Sequence, residues 1–432
     1  MKKRLWILNH YATNMFFEKG GRHYSFAKYL LKKGYEPTIF CANTRHNKRN
    51  QIVVTGQEKW KEEVDQAQGI PFVFVNSWKY EGNGLDRVIN MFSFYKNLFV
   101  TAREYAKIHG TPDLVIASSV HPLTLVAGIR IAKKFGVQCI CEVRDLWPET
   151  LVAYGSLKAN SILAKLLYAG EKWIYKKADK LIFTMEGGKD YILNKGWDKE
   201  HGGPIDIEKV YHINNGVDPE DFEYNKNNHI IQDDDLENDE LFKVIYTGSI
   251  RRVNKVGKLL DAAKLIPNKK IRFLIWGDGD ELASLKKRII DEKIDNVIFK
   301  GWVEKKYIPS IVSRANLNII LGDNLSLYRY GGSMNKMFDY FASGKPVLIT
   351  NKFAYSLVDR YQAGIELENS EAYSIAERII YFRNLDSETY GGYCVNSRRA
   401  ASEFSSETLV RKLIDCIEDQ SSVWSDYHFP DG

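Results

Sequence analysis

Short apolar runs of four to six residues recur along the first half of the chain, separated by segments with helical periodicity. Residues 5–9, 37–41, 72–76, Leu114–Ser118, Gln138–Val143, 181–184 and 210–213 read as strands. Between them, Phe26, Tyr29, Leu30 and Leu31 lie on one helical face that stops at Gly34, and 123–135 is a helix closed by Gly136. Residues 161–177 form an amphipathic helix. Fully apolar strands alternating with helices predict a parallel sheet covered on both faces.

The second half repeats the scheme. Strands are expected at 242–246, Ile271–Trp276, 297–299, 317–321 and 346–349, with helices at 258–265, 282–292, 333–342 and 372–383. Residues 223–240 between the halves are polar and acidic, include Asp233-Asp234-Asp235, and read as a linker. The expected division is therefore residues 1–222, a linker at 223–240, a second domain at 241–403, and a C-terminal segment 404–432 holding a long amphipathic helix at 406–420. Ligands of such sheets bind beyond the carboxyl ends of the strands.

Composition narrows the class. A hydrophobic fraction of 44% and a charged fraction of 27% are those of a folded soluble protein. No apolar run approaches the ~20 residues that span a bilayer, and no signal-peptide core follows the basic N-terminus; a cytoplasmic protein is expected. Cys41, Cys139, Cys141, Cys394 and Cys416 are scattered without zinc spacing and read as reduced core thiols. Residues 1–215 carry net charge +11 and residues 216–432 net charge −5. A basic first half suggests an anionic partner. With no aromatic stacking platform or Arg-rich helix, a phosphorylated lipid acceptor at a membrane surface is favoured over nucleic acid.

Candidate chemistry clusters at strand ends. Gly20-Gly21 opens a helix after the first strand, where backbone amides can approach a phosphate; taken alone, the pair is better explained as a plain turn. The spacing is not that of a dinucleotide fingerprint. Gly248 and Ser249 lead into a basic loop with Arg251, Asn254 and Lys255, suited to a pyrophosphate or simply solvated. Gly277-Asp278-Gly279 forms a turn at another strand end. Tyr328–Asp339 is the most informative stretch: a Gly-rich loop with Arg329 runs into a helix, Ser333 is a candidate N-cap, and Asn335, Lys336 and Asp339 follow. Asp339 is placed to accept from ribose hydroxyls. His121, Arg144 and Asp145 end first-domain strands; Arg144 and Asp145 either face a cleft or pair with each other. The acidic run at 233–235 reads as solvated linker, not a metal site.

Together these pieces resemble glycosyltransferase family 4, the retaining transferases of the GT-B fold. The resemblance rests on Gly20-Gly21, Asn215-Gly216-Val217-Asp218, Gly248, Gly277-Asp278-Gly279, Gly301-Trp302-Val303 and Asp339 through Gly344-Lys345-Pro346-Val347. The segments Glu142–Glu149 and Tyr328–Tyr340 are similar to those of O-antigen and capsule transferases. The resemblance implies two Rossmann-like domains facing across a cleft, with the last helix crossing back to the first. It assigns the nucleotide-sugar donor to the second domain: Asp339 to ribose, Trp302 and Val303 to the base, Ser333–Lys336 to phosphate and sugar. Two departures stand out. Gly331 occupies the place of a second family acid, leaving Arg329 or Asn335 to meet the sugar. The family's phosphate-binding Arg and Lys fall on Ser249 and Asn254, with Arg251 and Lys255 as substitutes.

The implied function is a hexosyltransferase that needs no metal or other cofactor. It would move a sugar, expected to be an N-acetylated aminosugar from UDP, to a lipid-linked or glycan acceptor in surface polysaccharide synthesis. Positive groups would stabilise the departing diphosphate, while His121 and Asp145 orient the sugar or acceptor. Core packing is the favoured explanation of the aromatic, basic helix 85–105, and peripheral contact with an anionic membrane there is the sharper hypothesis. Competing readings are a nucleotide-sugar 2-epimerase of the same fold and a non-catalytic sugar-nucleotide binding module.

Overall fold

The computed structural model describes residues 2–418 apart from 46–47, 53–57, 81, 83, 120 and 267–269. It divides into two compact units, Met1–Asn214 with Ser406–Gly432, and Asn215–Ser405.

The first unit holds an eight-stranded sheet. Its order from one edge is Val210–His212, Lys180–Phe183, Gln138–Val143, Leu114–Ser118, Arg4–Leu8, Glu36–Ala42, Pro71–Val75 and Trp60–Val64. Every pairing is parallel except the last, where Trp60–Val64 runs antiparallel to Pro71–Val75. Leu5, Ile7 and Leu8 are wholly buried, as expected of a central strand covered on both faces. Trp6 packs edge-on against Tyr105 and Phe135, which come from helices Leu85–His109 and Pro122–Phe135. Those two helices and Ile162–Lys177 form one layer, with Pro122–Phe135 in the middle. The strand order reverses between Arg4–Leu8 and Leu114–Ser118, so the ligand-binding end of this unit lies at Asn9, Ser118 and their neighbours.

The second unit is a six-stranded, all-parallel sheet in the order Val297–Gly301, Ile271–Trp276, Phe242–Thr247, Leu317–Ile320, Val347–Ile349, Gly364–Glu366. Its core gathers Val244, Tyr246, Phe273, Ile275, Leu317 and Leu348 from the strands with Leu259, Leu260, Ile375 and Ile379 from helices. The strand order reverses between Phe242–Thr247 and Leu317–Ile320, at Gly248 and Gly322.

The acidic segment at 223–240 is not a bare linker. Pro219–Asn228 is a helix capped by Asp218, whose side chain accepts from the amides of Glu220 and Asp221. Asp233 caps a short helix, Asp234–Glu237, that buries Leu236 beside Ile245, Leu274 and Trp276. Asp233 and Asp235 both reach Lys300 Nζ, at 2.7 and 2.6 Å. The acids are there for caps and for one lysine, and Leu236 supplies the anchor that low hydrophobicity concealed. The division also falls at Asn214/Asn215 rather than after 222, and the returning segment begins at Ser406. Its helix, Ser406–Glu418, packs on Arg22–Lys32, and Lys180 Nζ donates to the carbonyl of Cys416.

Candidate active site

In the second unit, the helix Asn335–Ala342 brings two charged side chains to the end of the first strand. Tyr340 fixes it there: its hydroxyl accepts from the Thr247 amide at 3.0 Å and lies 3.1 Å from Thr247 Oγ1. One turn earlier, Lys336 Nζ stands 4.3 Å above the Tyr246 ring and 3.3 Å from its hydroxyl. No carboxylate pairs with Lys336 among the described residues. Burial pushes its ammonium down to about 8. Asp339 is half-buried three residues on; burial raises its carboxyl and Lys305 opposes the shift. Its carboxylate has no hydrogen-bond or ion-pair partner among the described residues. A cation without an acid and a carboxylate without a donor, on one helix face, have the chemistry to meet an anion and hydroxyls of one ligand.

Gly248 makes room for this arrangement. Its φ is +140°, and a Cβ there would stand 2.6 Å from Lys336 Nζ. Gly277 is a glycine for a different reason. A Cβ on it would meet the Gly248 carbonyl at 1.8 Å, and its amide already donates to the Gly301 carbonyl at 2.8 Å. Gly277 thus shapes the loop under the site through backbone packing.

The remaining predicted donor residues divide. Ser249 Oγ donates to Asn254 Oδ1 at 2.8 Å, and Arg251 is exposed next to them. Lys255, with φ +53°, is paired with Asp323 at 2.9 Å, an acid shared with Lys258; the substitute phosphate ligand is already engaged. Ser333 is not the N-cap, a position taken by Met334. Its hydroxyl instead accepts from the Asn215 amide at 2.9 Å, and its carbonyl from Asn215 Nδ2 at 2.7 Å, so the Gly-rich loop is tied to the start of the unit. Arg329 is exposed, its guanidinium 4.8 Å from the Tyr330 ring. Asn335 and Trp302 are exposed, and Val303 is half-buried against Leu236 and its neighbours.

In the first unit, Gly20-Gly21 precedes the helix Arg22–Lys32, with Gly21 as N-cap at φ +102°. The unexpected centre is Glu142. It is wholly buried and takes Arg22 Nε at 2.7 Å, His23 Nε2 at 2.9 Å and Ser118 Oγ at 2.7 Å. Burial pushes its carboxyl up, but Arg22 and His23 outweigh burial and hold it well below the usual range. Arg22 also donates to the carbonyls of Ile213 and Asn214. A charged residue in an apolar strand was the available signal for this hub.

Beside the hub, His121 Nε2 lies 2.6 Å from His10 Nδ1, and His10 stacks on Phe94 at 4.3 Å. Burial, with Arg87 nearby, lowers His121 to about 3, so the ring is neutral. Its Nδ1 has no partner among the described residues. Arg144 and Asp145 do not pair with each other: Asp145 is exposed, and the Arg144 amide donates to Ser119 Oγ at 2.9 Å. Structure therefore brings His121, Arg144 and Asp145 to one end of the first sheet, and Lys336, Asp339 and Gly248 to one end of the second.

Comparison with known proteins agrees with this architecture. Residues 23–221 match the model for Glycosyltransferase Family 4, and residues 242–384 the model for Glycosyl transferases group 1. A probable glycosyltransferase, WbjE of Pseudomonas aeruginosa, is 24% identical over 337 residues, covering 76% of this chain and 78% of its own. Sucrose-phosphate synthase from Thermosynechococcus elongatus superposes with a TM-score of 0.69 at 16% identity, covering 97% of this chain and 99% of that one. Anabaena HepE in complex with UDP gives 0.65 at 14% identity, covering 97% and 100%. With both halves matched by glycosyltransferase models and both sheets in the two-domain GT-B pattern, the chain belongs to the family 4 and group 1 glycosyltransferases, enzymes of hexosyl transfer.

Proposed function

We propose that this enzyme moves an N-acetylated aminosugar from UDP to a lipid-linked or glycan acceptor in bacterial surface polysaccharide synthesis, with retention at the anomeric carbon and without a metal. The observation that carries the donor assignment is Lys336, a half-buried cation with no acid partner among the described residues, at the mouth of the second unit's first strand. A diphosphate there supplies the missing countercharge. As the bond to the sugar breaks, negative charge grows on the leaving phosphate, and a fixed ammonium stabilises that state most. Arg251 and the amides opening the Asn335–Ala342 helix add to it, which is the reason no metal is invoked. Asp339 accepts from the ribose, and Trp302 and Val303 flank the base. UDP is favoured because HepE has been solved with UDP and with UDP-glucose. The surface-polysaccharide assignment leans on the segments shared with O-antigen and capsule transferases.

In the first unit, His121 Nδ1 is the atom offered to the sugar or acceptor hydroxyl, with Asp145 beside it. An acceptor carried on a lipid calls for peripheral contact with an anionic membrane from the cytoplasmic side. Thermal shift with UDP, GDP, ADP and their sugars tests the donor: stabilisation by UDP compounds alone is expected, and stabilisation by GDP instead overturns the base. Transfer must survive a chelator. Conversion of the UDP-sugar to an epimer with no acceptor present would replace the transferase reading with the epimerase one.

A further inference from the structure

The helix Ile162–Lys177 turns an apolar stripe to solvent. Ile162 is 80% exposed, Leu163 57%, Leu166 65% and Trp173 37%. Spacings of four, three and seven residues place Ile162, Leu166 and Trp173 along one face. The helix's inner face is already satisfied by Ala164, Ile174 and Tyr175, all buried. Four large apolar groups left in water on one helix exceed what scattered exposure explains.

A groove of about 320 Å³ runs beside the stripe, between this helix and Pro122–Phe135. Leu123, Val126, Leu167, Ile174 and Trp147 line it, and Arg130 stands at its rim. The two helices that flank it expose charge of one sign, while Asp145 and Glu149, the latter paired with Lys195 at 2.7 Å, lie beside Trp147 and Pro148. Arg130, Lys133, Lys134, Lys165, Lys176 and Lys177 are exposed on the two helices. Their single acid, Glu171, is wholly buried. It accepts from the hydroxyls of Tyr175 and Tyr191 at 2.7 Å each, and burial pushes it up to about 8, so it carries little charge at neutral pH. An apolar stripe and groove between two helices that expose only cations complements a surface that is oily within and anionic outside.

We propose that this face docks on an anionic lipid bilayer, with Ile162, Leu163, Leu166 and Trp173 in the acyl boundary and one lipid chain seated in the groove. The proposal deepens the lipid-acceptor reading by naming the surface. It names a different surface from helix 85–105, the segment the sequence offers as the membrane-contact hypothesis against core packing. In the structure that helix buries Phe94 and Leu98 and exposes Leu85, Val88, Ile89 and Phe92, making it the rival surface in the same layer.

The test is co-sedimentation of the full chain with vesicles of phosphatidylcholine and phosphatidylglycerol in a two-to-one mix, against pure phosphatidylcholine. Expected are binding to the anionic vesicles that weakens with salt, and a roughly tenfold loss in the Leu163→Glu/Leu166→Glu variant. Quenching by brominated acyl chains should fall in Trp173→Phe. UDP binding and melting temperature serve as folding controls and are expected unchanged. Equal binding by the double variant, loss instead through Val88→Glu/Phe92→Glu, indifference to lipid charge, or no vesicle binding by the parent chain would each overturn the proposal. The readout is independent of sugar transfer, so a chain that docks but transfers nothing defeats only the transferase reading.

Discussion

A methyl group on Gly248 would stand 2.6 Å from Lys336 Nζ, the cation assigned to the departing diphosphate. Substituting Gly248→Ala therefore strains a backbone at φ +140° and pushes the lysine off its position above Tyr246. UDP affinity by calorimetry is expected to fall about tenfold or more, equivalent to at least ~1.4 kcal/mol. Gly277→Ala, with its clash against the Gly248 carbonyl, should instead lower melting temperature first.

Lys336 also predicts a pH dependence. Its ammonium is held down to about 8 in the free enzyme, and only the protonated form attracts phosphate. UDP affinity is thus fullest below that value and weakens as pH rises through it. Calorimetry across that range should show the decline in the parent chain. Lys336→Arg, charged throughout, should flatten it, and a slope that persists in the variant assigns the titration elsewhere.

The role proposed for Asp339 is narrower, acceptance of ribose hydroxyls. Asp339→Ala should cost about 1.5–3 kcal/mol of UDP affinity. The parent chain should prefer UDP over its deoxyribose analogue, and the variant should treat the two alike. Discrimination that survives in the variant argues against the ribose contact.

His10 positions rather than reacts. With its Nδ1 2.6 Å from His121 Nε2, it fixes the neighbour's ring and leaves Nδ1 of His121 as the atom available to a hydroxyl. His10→Phe keeps an aromatic ring to stack on Phe94 and removes the hydrogen bond. Turnover should drop about tenfold, the scale of one hydrogen bond, with UDP affinity unchanged. His121 at about 3 should contribute no ionisation to the rate profile near neutrality.

Glu142 is a stability residue. Glu142→Leu leaves Arg22 buried against carbonyls with no countercharge and should cost about 3–5 kcal/mol in denaturant unfolding. Because the folded carboxyl is held well below its ordinary value, its contribution is complete above the usual carboxylate range and is lost as pH falls through the depressed one.

Most strands were legible because parallel sheets buried on both faces must be written in apolar residues, as in Leu114–Ser118 and Ile271–Trp276. What escaped was written in other terms. Asp218-Pro219 is a helix start, but the residues after it bury only Phe222 and carry little periodicity. Ser387–Glu403 went unread as a helix because it contains Gly391-Gly392 and buries only Ser397, Ala400 and Ala401. At the site, Asp339 and Lys336 could be found from their loop-to-helix context. Glu142, His10 and the pairing of Lys255 with Asp323 depend on partners up to 120 positions away, which no local pattern encodes.

The first unit is made of two pieces of chain, and the second interrupts it. Residues 215–405 are contiguous and can collapse as soon as they leave the ribosome. The earlier-synthesised unit must wait for the last helix before Arg22–Lys32 is covered and Lys180 finds the Cys416 carbonyl. The half that is translated first is finished last, so a ribosome that stalls near the end releases a protein complete in its second unit and open along one helix of the first.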